Sequence, residues 1–231
     1  MELVLSKKPK GVTIIEGFPG FGLVSTIATE YVIDHLDAEQ IGKIVFEEAP
    51  PLVAVHSGTV IEPIGIFYSK KYNLVILHAL TSIAGFEWKV AKKVTELAKQ
   101  LQAKEIVCVE GVGSTNESEN AFYLSEKNGK KFEKIGITKL KEGIILGVTG
   151  ALMLEDGLNV SCIFTETHSN LPDSRAAAKI IETLDNYLGL KIDPKPLIKK
   201  AENFEAKIKS LMEQGAVASK QSKEKELSYL G

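Results

Sequence analysis

The chain reads as an α/β protein: a three-layer body on a central mixed, largely parallel sheet, followed by a C-terminal helix and a flexible tail. Two observations lead there. Short apolar runs rich in β-branched residues alternate with helical stripes, the pattern of strands covered by helices on both faces. The 231 residues, 44% hydrophobic and 25% charged, suffice for one sizeable core, whereas two domains would each be small.

The strand-like runs are Val12 to Ile15, Lys43 to Phe46, Leu52 to Val55, Ile64 to Tyr68, Leu74 to His78, Ile106 to Val109, Ile144 to Val148 and Val160 to Phe164. Between the fifth and sixth lies the clearest helix, Phe86 to Gln102. Its Phe86, Val90, Val94, Leu97 and Leu101 recur at spacings of four and three and form one apolar stripe. Strand, helix and strand make a βαβ unit. Ala176 to Leu188 repeats the stripe, and Gly189 is placed to stop it. From Glu47 to Tyr68, strand-like runs follow one another around Pro50-Pro51 and Ser57-Gly58, which predicts an antiparallel part of the sheet. The body is expected to span residues 1–190. Asp193-Pro194 then opens a helix over 191–215, with Leu197, Ala201, Phe204, Ile208 and Leu211 as a two-heptad seam suited to a neighbouring subunit or to its own body. Residues 216–231 are a polar tail that turns apolar only at its end.

Charge excludes some functions. Lys plus Arg number 28 against 30 Asp plus Glu, a net charge of −2, so no cationic field exists to hold phosphate backbones, and no nucleic-acid partner is expected. The lysine doublets are scattered among acids, as on a solvated surface. No segment approaches the roughly 20 apolar residues of a membrane span, and the N-terminus lacks a leader pattern, so a cytoplasmic protein away from membranes is expected. Cys108 and Cys162 sit in apolar runs as small hydrophobes, with neither disulfide nor metal spacing.

The most distinctive motif is Gly17-Phe18-Pro19-Gly20-Phe21-Gly22, between a strand and a helix beginning near Leu23. A glycine turn at a helix N-terminus can cradle phosphate. The order Gly-x-x-Gly-x-Gly misses the dinucleotide fingerprint, however, and no Gly-Lys-Ser/Thr follows. The bulk of Phe18 and Phe21 favours a tight turn with close helix–sheet packing. Comparable turns occur at Gly111-Val112-Gly113-Ser114 and at Gly147-Val148-Thr149-Gly150. In parallel strands these would gather at the carboxyl edge of the sheet, where open α/β proteins bind ligands. Gly20, Gly22, Gly113 and Ser114 are therefore the candidate ligand cleft.

Catalytic groups are scarce. The sequence has no Gly-x-Ser-x-Gly elbow and no His-Glu-x-x-His. His168 has Glu166, Ser169 and Asp173 for company, but the set lacks further metal ligands and an oxyanion hole. It reads as a strand end turning into a helix that Pro172-Asp173 begins. Glu155-Asp156 before Gly157 reads as a polar helix end or turn. No catalytic residue, metal or cofactor is assigned.

The Gly17–Gly22 motif, the Gly111-Val-Gly113 turn, Gly147-Val-Thr-Gly-Ala-Leu152 and Pro172-Asp-Ser-Arg-Ala-Ala177, in that order and spacing, resemble the proteasome-assembly-chaperone family in its archaeal branch. The similarity runs from about Gly11 to Leu188. The resemblance implies a fold like that of purine nucleoside phosphorylases and related hydrolases without their chemistry. It also implies homo-oligomers that act without ATP and dock on proteasome core-particle α-subunits through a flexible C-terminal tail. Family members that dock end in a hydrophobic residue, tyrosine and any residue, the terminal carboxylate pairing with a ring lysine. Here the end is Tyr229-Leu230-Gly231, so the tyrosine stands one place early. Docking through these three residues and a frayed end are both open readings. The alternative is a small-ligand protein or enzyme using the glycine-rich carboxyl edge of the sheet.

Overall fold

A computed structural model of the chain describes residues 1–47, 54–56, 59–80, 83–114, 120–168 and 171–199. Two units are distinguished, Met1–Pro194 and Lys195–Gly231. In the second, residues 195–199 are helical. The seam positions Ala201, Phe204, Ile208 and Leu211, the tail residues Tyr229, Leu230 and Gly231, and Leu52 and Val53 of the expected Leu52–Val55 strand lie outside the described residues.

In the first unit, strands numbered along the chain form one nine-stranded sheet. Its order is β1 (Glu2–Leu5), β3 (Glu39–Val45), β6 (Ile64–Ser69), β7 (Leu74–Ala79), β2 (Thr13–Gly17), β8 (Glu105–Gly113), β11 (Val160–Thr167), β9 (Ala121–Ser125) and β10 (Thr138–Lys139). The centre, β7-β2-β8-β11, is parallel, and the flanks from β1 to β7 and from β11 to β9 are antiparallel. β4 (Ala54–His56) and β5 (Thr59–Ile61) pair antiparallel apart from it. The succession of runs before Tyr68 does therefore make an antiparallel region.

Alternation along the central strands divides the core. Ile14, Val75, Leu77, Ile106, Cys108, Cys162 and Phe164 face α2 (Glu87–Leu101) and α4 (Gly147–Met153), which pack on each other. On the opposite face Ile15, Ile76, Val107 and Ile163 are buried beneath α1 (Val24–His35) and α5 (Ser174–Leu188). The result is three layers, helices on both faces of a strongly apolar sheet. α2 fills the expected 86–102 span with Phe86 and Gln102 as its end residues, and it carries the chain from β7 to β8. α5 starts where Asp173 accepts the Ala176 N–H at 2.9 Å, a cap worth about 1 kcal/mol, and stops at Gly189, whose φ of 68° only glycine adopts freely. The short α3 (Gly129–Lys134) seats Phe132 between the rings of Tyr123 and Tyr187, at 5.0 and 4.2 Å.

Two expectations are corrected. Ile144–Val148 is not a strand: Ile144 and Leu146 are 87% and 73% exposed, and Gly147, at φ 72°, turns the chain into α4. Gly150 consequently lies inside α4 and not in a turn at a strand end.

Candidate functional site

The carboxyl ends of β2, β8 and β11 open into a cleft of about 990 Å³. Its walls come from Phe18 to Phe21, from Ile83, Ala84 and Glu87 ahead of and at the start of α2, and from residues 138–148. Gly20, Gly113 and Ser114 line it, as the strand-end turns suggested. Gly22 does not. At φ 66° it tucks under β11, where a Cβ would stand 2.7 Å from the Thr167 hydroxyl oxygen, and its carbonyl accepts the Asp173 N–H at 2.9 Å. Its service is to dock the turn against the start of α5.

The floor is acidic, which the sequence reading missed. Glu16 and Glu110 end the apolar runs of the neighbouring strands β2 and β8, and each is followed by a glycine. Gly17 and Gly111 face α1: a Cβ on Gly111 would strike the Phe21 carbonyl oxygen and stand 2.9 Å from a Val24 methyl. The side chains one residue earlier therefore point to the other face, towards α4. There Glu16 is 1% exposed. It accepts the Phe18 N–H at 3.2 Å and the Thr149 hydroxyl at 3.3 Å, and the Cys108 thiol also bonds to it. Burial pushes its carboxyl up to about 7 against these hydrogen bonds. Glu110, at the cleft floor, is pushed up to about 8 by burial and by the charge of Glu16, with the Thr149 hydroxyl acting the other way. Cys108 pairs in register with Cys162, and bonding to that thiol, burial and Glu16 together hold it well above the ordinary thiol range. It stays a thiol.

The repeated signature, an apolar run closed by Glu-Gly, was visible in Ile14-Ile15-Glu16-Gly17 and Cys108-Val109-Glu110-Gly111. Parallel pairing of β2 with β8 is what turns it into a site.

This floor argues against a phosphate cradle. The Phe18 N–H is already bonded to Glu16, and the two carboxyls behind the turn would have to stay protonated beside an anion, to which they supply no attraction. The His168 neighbourhood is equally quiet. Glu166, 6% exposed, accepts the Ser114 hydroxyl at 2.8 Å and the Asn120 N–H at 3.2 Å. His168 is exposed, its Nδ1 3.3 Å from the Ser114 carbonyl. Asp173 is occupied as the α5 cap and accepts the Thr167 hydroxyl at 2.6 Å. Glu155 and Asp156 follow the end of α4. Among the described residues no group of side chains could hold a metal ion, and no helix is long and apolar enough to cross a membrane. Beside the cleft, Trp88, Leu146 and Leu154 line a shallow groove and are 54%, 73% and 71% exposed.

Comparisons with known proteins give the lineage. A protein of Methanocaldococcus jannaschii, itself uncharacterized, is 27% identical over 206 residues, covering 87% of this chain and 85% of its own. The crystal structure of Pyrococcus furiosus PbaA, an archaeal homolog of proteasome-assembly chaperone, superposes with a TM-score of 0.84 at 29% identity, covering 97% of this chain and 96% of that one. Pyrococcus furiosus PbaB, an archaeal proteasome activator, shares the fold with a TM-score of 0.78 at 20% identity, covering 91% and 98%. The PAC2 family model matches residues 14–212, from β2 to beyond α5 and so every strand of the sheet except β1. This chain belongs to the PAC2 family, and its fold is that of the archaeal homologues of proteasome-assembly chaperones.

Proposed function

We propose that the protein is a homo-oligomeric proteasome-assembly chaperone homologue or adaptor of the cytoplasm, which binds core-particle α-subunits through its C-terminal tail without ATP. The observation that carries this reading is the full-length similarity to PbaA, at 29% identity over 97% of the chain. Binding rather than catalysis suits the described residues: the glycine turn is packing, of the floor carboxyls Glu16 is buried and Glu110 half-buried, and His168 has no metal-binding company. ATP independence is supported by the missing Walker pattern and by the acidic floor.

A polar chain over 216–231 reaches roughly 20 Å, enough to probe another protein's surface. Several tails on one oligomer would add weak contacts by Tyr229 and Leu230 into useful binding. The seam that begins at Leu197 offers a surface for assembly. The test is an interferometry titration of intact chain, and of chain lacking Tyr229-Leu230-Gly231, against one archaeal core particle, with light scattering on both. Truncation is expected to weaken binding sharply and to leave the melting temperature unchanged. Equal binding by both would move docking to the body, where the exposed Trp88, Leu146 and Leu154 become the surface to mutate. Binding by neither would end the docking reading.

A further inference from the structure

Docking by a tail makes no use of the cleft. At about 990 Å³ it lies at the upper end of small-molecule sites, which run to roughly 1,000 Å³ and join apolar walls to a few convergent polar groups. Phe21 and Phe122 supply aromatic rings to the lining and Ile83 a branched aliphatic side chain. The floor is Glu110, with Glu16 behind it on the adjacent strand. Among the described lining residues, Glu87, Glu110, Glu142 and Glu166 outnumber Lys139 and Lys141, and both lysines are exposed at the lip.

What surrounds Glu110 defines what it lacks. From β2 it meets Glu16, from its own strand Cys108 precedes it on the same face, and from α4 comes the Thr149 hydroxyl. The groups that shift its protonation are burial, Glu16 and Thr149, and none is a cation. Glu166, across the floor on β11, is already engaged by Ser114 and Asn120. A carboxyl removed from water without a positive partner stays protonated, and a cation entering beside it restores the charged form.

We propose that the cleft binds a small organic monocation, its ammonium or guanidinium group paired with Glu110 and its ring-sized apolar body lying against Phe21 and Phe122. The charge pair forms away from bulk water, where it is stronger than on a surface, and the phenylalanine faces add cation–π attraction along the entry. Binding expels one proton from Glu110. Affinity therefore rises with pH by up to about tenfold per unit until Glu110 is ionised on its own near pH 8, and then levels off. Glu16 titrates in the same range and favours the cation in the same direction. Cys108 remains a thiol, and Lys139, Lys141, Glu87 and Glu142 are the other charged side chains at the walls. The proposal does not rest on proteasome docking and fails or survives independently of it.

The test uses the full chain and isothermal titration calorimetry with 4-phenylbutylamine, beside its neutral isostere 4-phenylbutanol, at about pH 6, 7, 8 and 9. The amine is expected to saturate, to bind at least tenfold more tightly at pH 8 than at pH 6, and to exceed the alcohol at least tenfold at pH 8. Glu110→Gln removes the charge and nearly keeps the shape. It is expected to remove most of the pH dependence, leaving only the smaller rise that Glu16 contributes, and to weaken the amine at least tenfold, with an unchanged thermal transition at low pH as the check on folding. Phe21→Ala, at the exposed rim, weakens the amine several-fold and serves if the glutamine variant misfolds. No saturation at millimolar amine, alcohol binding as tight as the amine, or a folded Glu110→Gln variant that binds unchanged would each overturn the proposal.

Discussion

Replacing Glu16 by glutamine should make the protein more stable, and only at neutral to alkaline pH. Glu16 is buried at 1% exposure, and its carboxyl titrates at about 7 in the fold against an ordinary 4.5. A raised carboxyl means that the folded chain binds more protons than the unfolded chain between these values. Its contribution to stability is thus fully present below about pH 4.5 and is lost as pH rises through about 7. The lost amount is the shift, roughly 2.5 pH units at about 1.4 kcal/mol each, or about 3 kcal/mol by pH 8. Glutamine keeps one oxygen to accept the Phe18 N–H, can donate its NH2 to the Thr149 hydroxyl oxygen in place of the second carboxyl oxygen, and carries no charge to strand. For a body of this size 1 kcal/mol moves the melting temperature by roughly 2–4 °C. Glu16→Gln should therefore melt about 6–12 °C above the parent at pH 8 and within about 2 °C of it near pH 4.5, as read by calorimetry across that range. Parallel curves for the two proteins, offset equally at every pH, would show that Glu16 does not carry the buried proton.

Two further outcomes follow from the same geometry. Gly111→Ala should destabilise by about 1–3 kcal/mol in denaturant titration, because the new methyl meets the Phe21 backbone and not the movable end of a side chain. A variant as stable as the parent would mean that α1 does not approach β8 so closely. His168→Ala should leave both stability, to within about 0.5 kcal/mol, and core-particle binding unchanged, since the ring is exposed and makes one long contact to a carbonyl.

The elements legible from the sequence were those whose own residues decide them. α2 and α5 carry a full apolar stripe over four turns and end at residues with left-handed backbone, Gln102 and Gly189. The central strands carry continuous apolar runs, Ile14-Ile15, Leu74 to Leu77, Ile106 to Val109 and Cys162 to Phe164, because both faces are covered, and such runs are visible without knowing their neighbours. β1 and β9 were not legible. Glu2–Leu5 is a four-residue edge strand with one side half exposed, and Ala121–Ser125 owes its place to pairing with β11. Each is too short for its alternation to stand out from a loop. Ile144–Val148 failed in the opposite sense, as β-branched and apolar residues that local propensity assigns to a strand. Gly147 and the packing of α4 on α2 override that propensity.

The candidate site shows the same division between local and distant causes. Glycines that relieve backbone crowding announce themselves, so Gly20 and Gly113 could be placed at the strand ends from the chain alone. The acids could not, because a glutamate closing a strand is normally a solvated cap. Glu16 becomes a buried proton carrier only when Thr149, 133 residues away, closes over it and Glu110 arrives on the next strand. The Glu-Gly pairs tie the two observations together: the glycine lets α1 approach one face of the sheet, and alternation then sends the preceding glutamate under α4. A substitution that relaxes the glycine side, such as Gly111→Ala, should accordingly disturb Glu110 as well. The amine-binding pH profile of that variant, displaced from the parent's, would reveal the coupling through the sheet, whereas an unmoved profile would confine the glycine's role to packing.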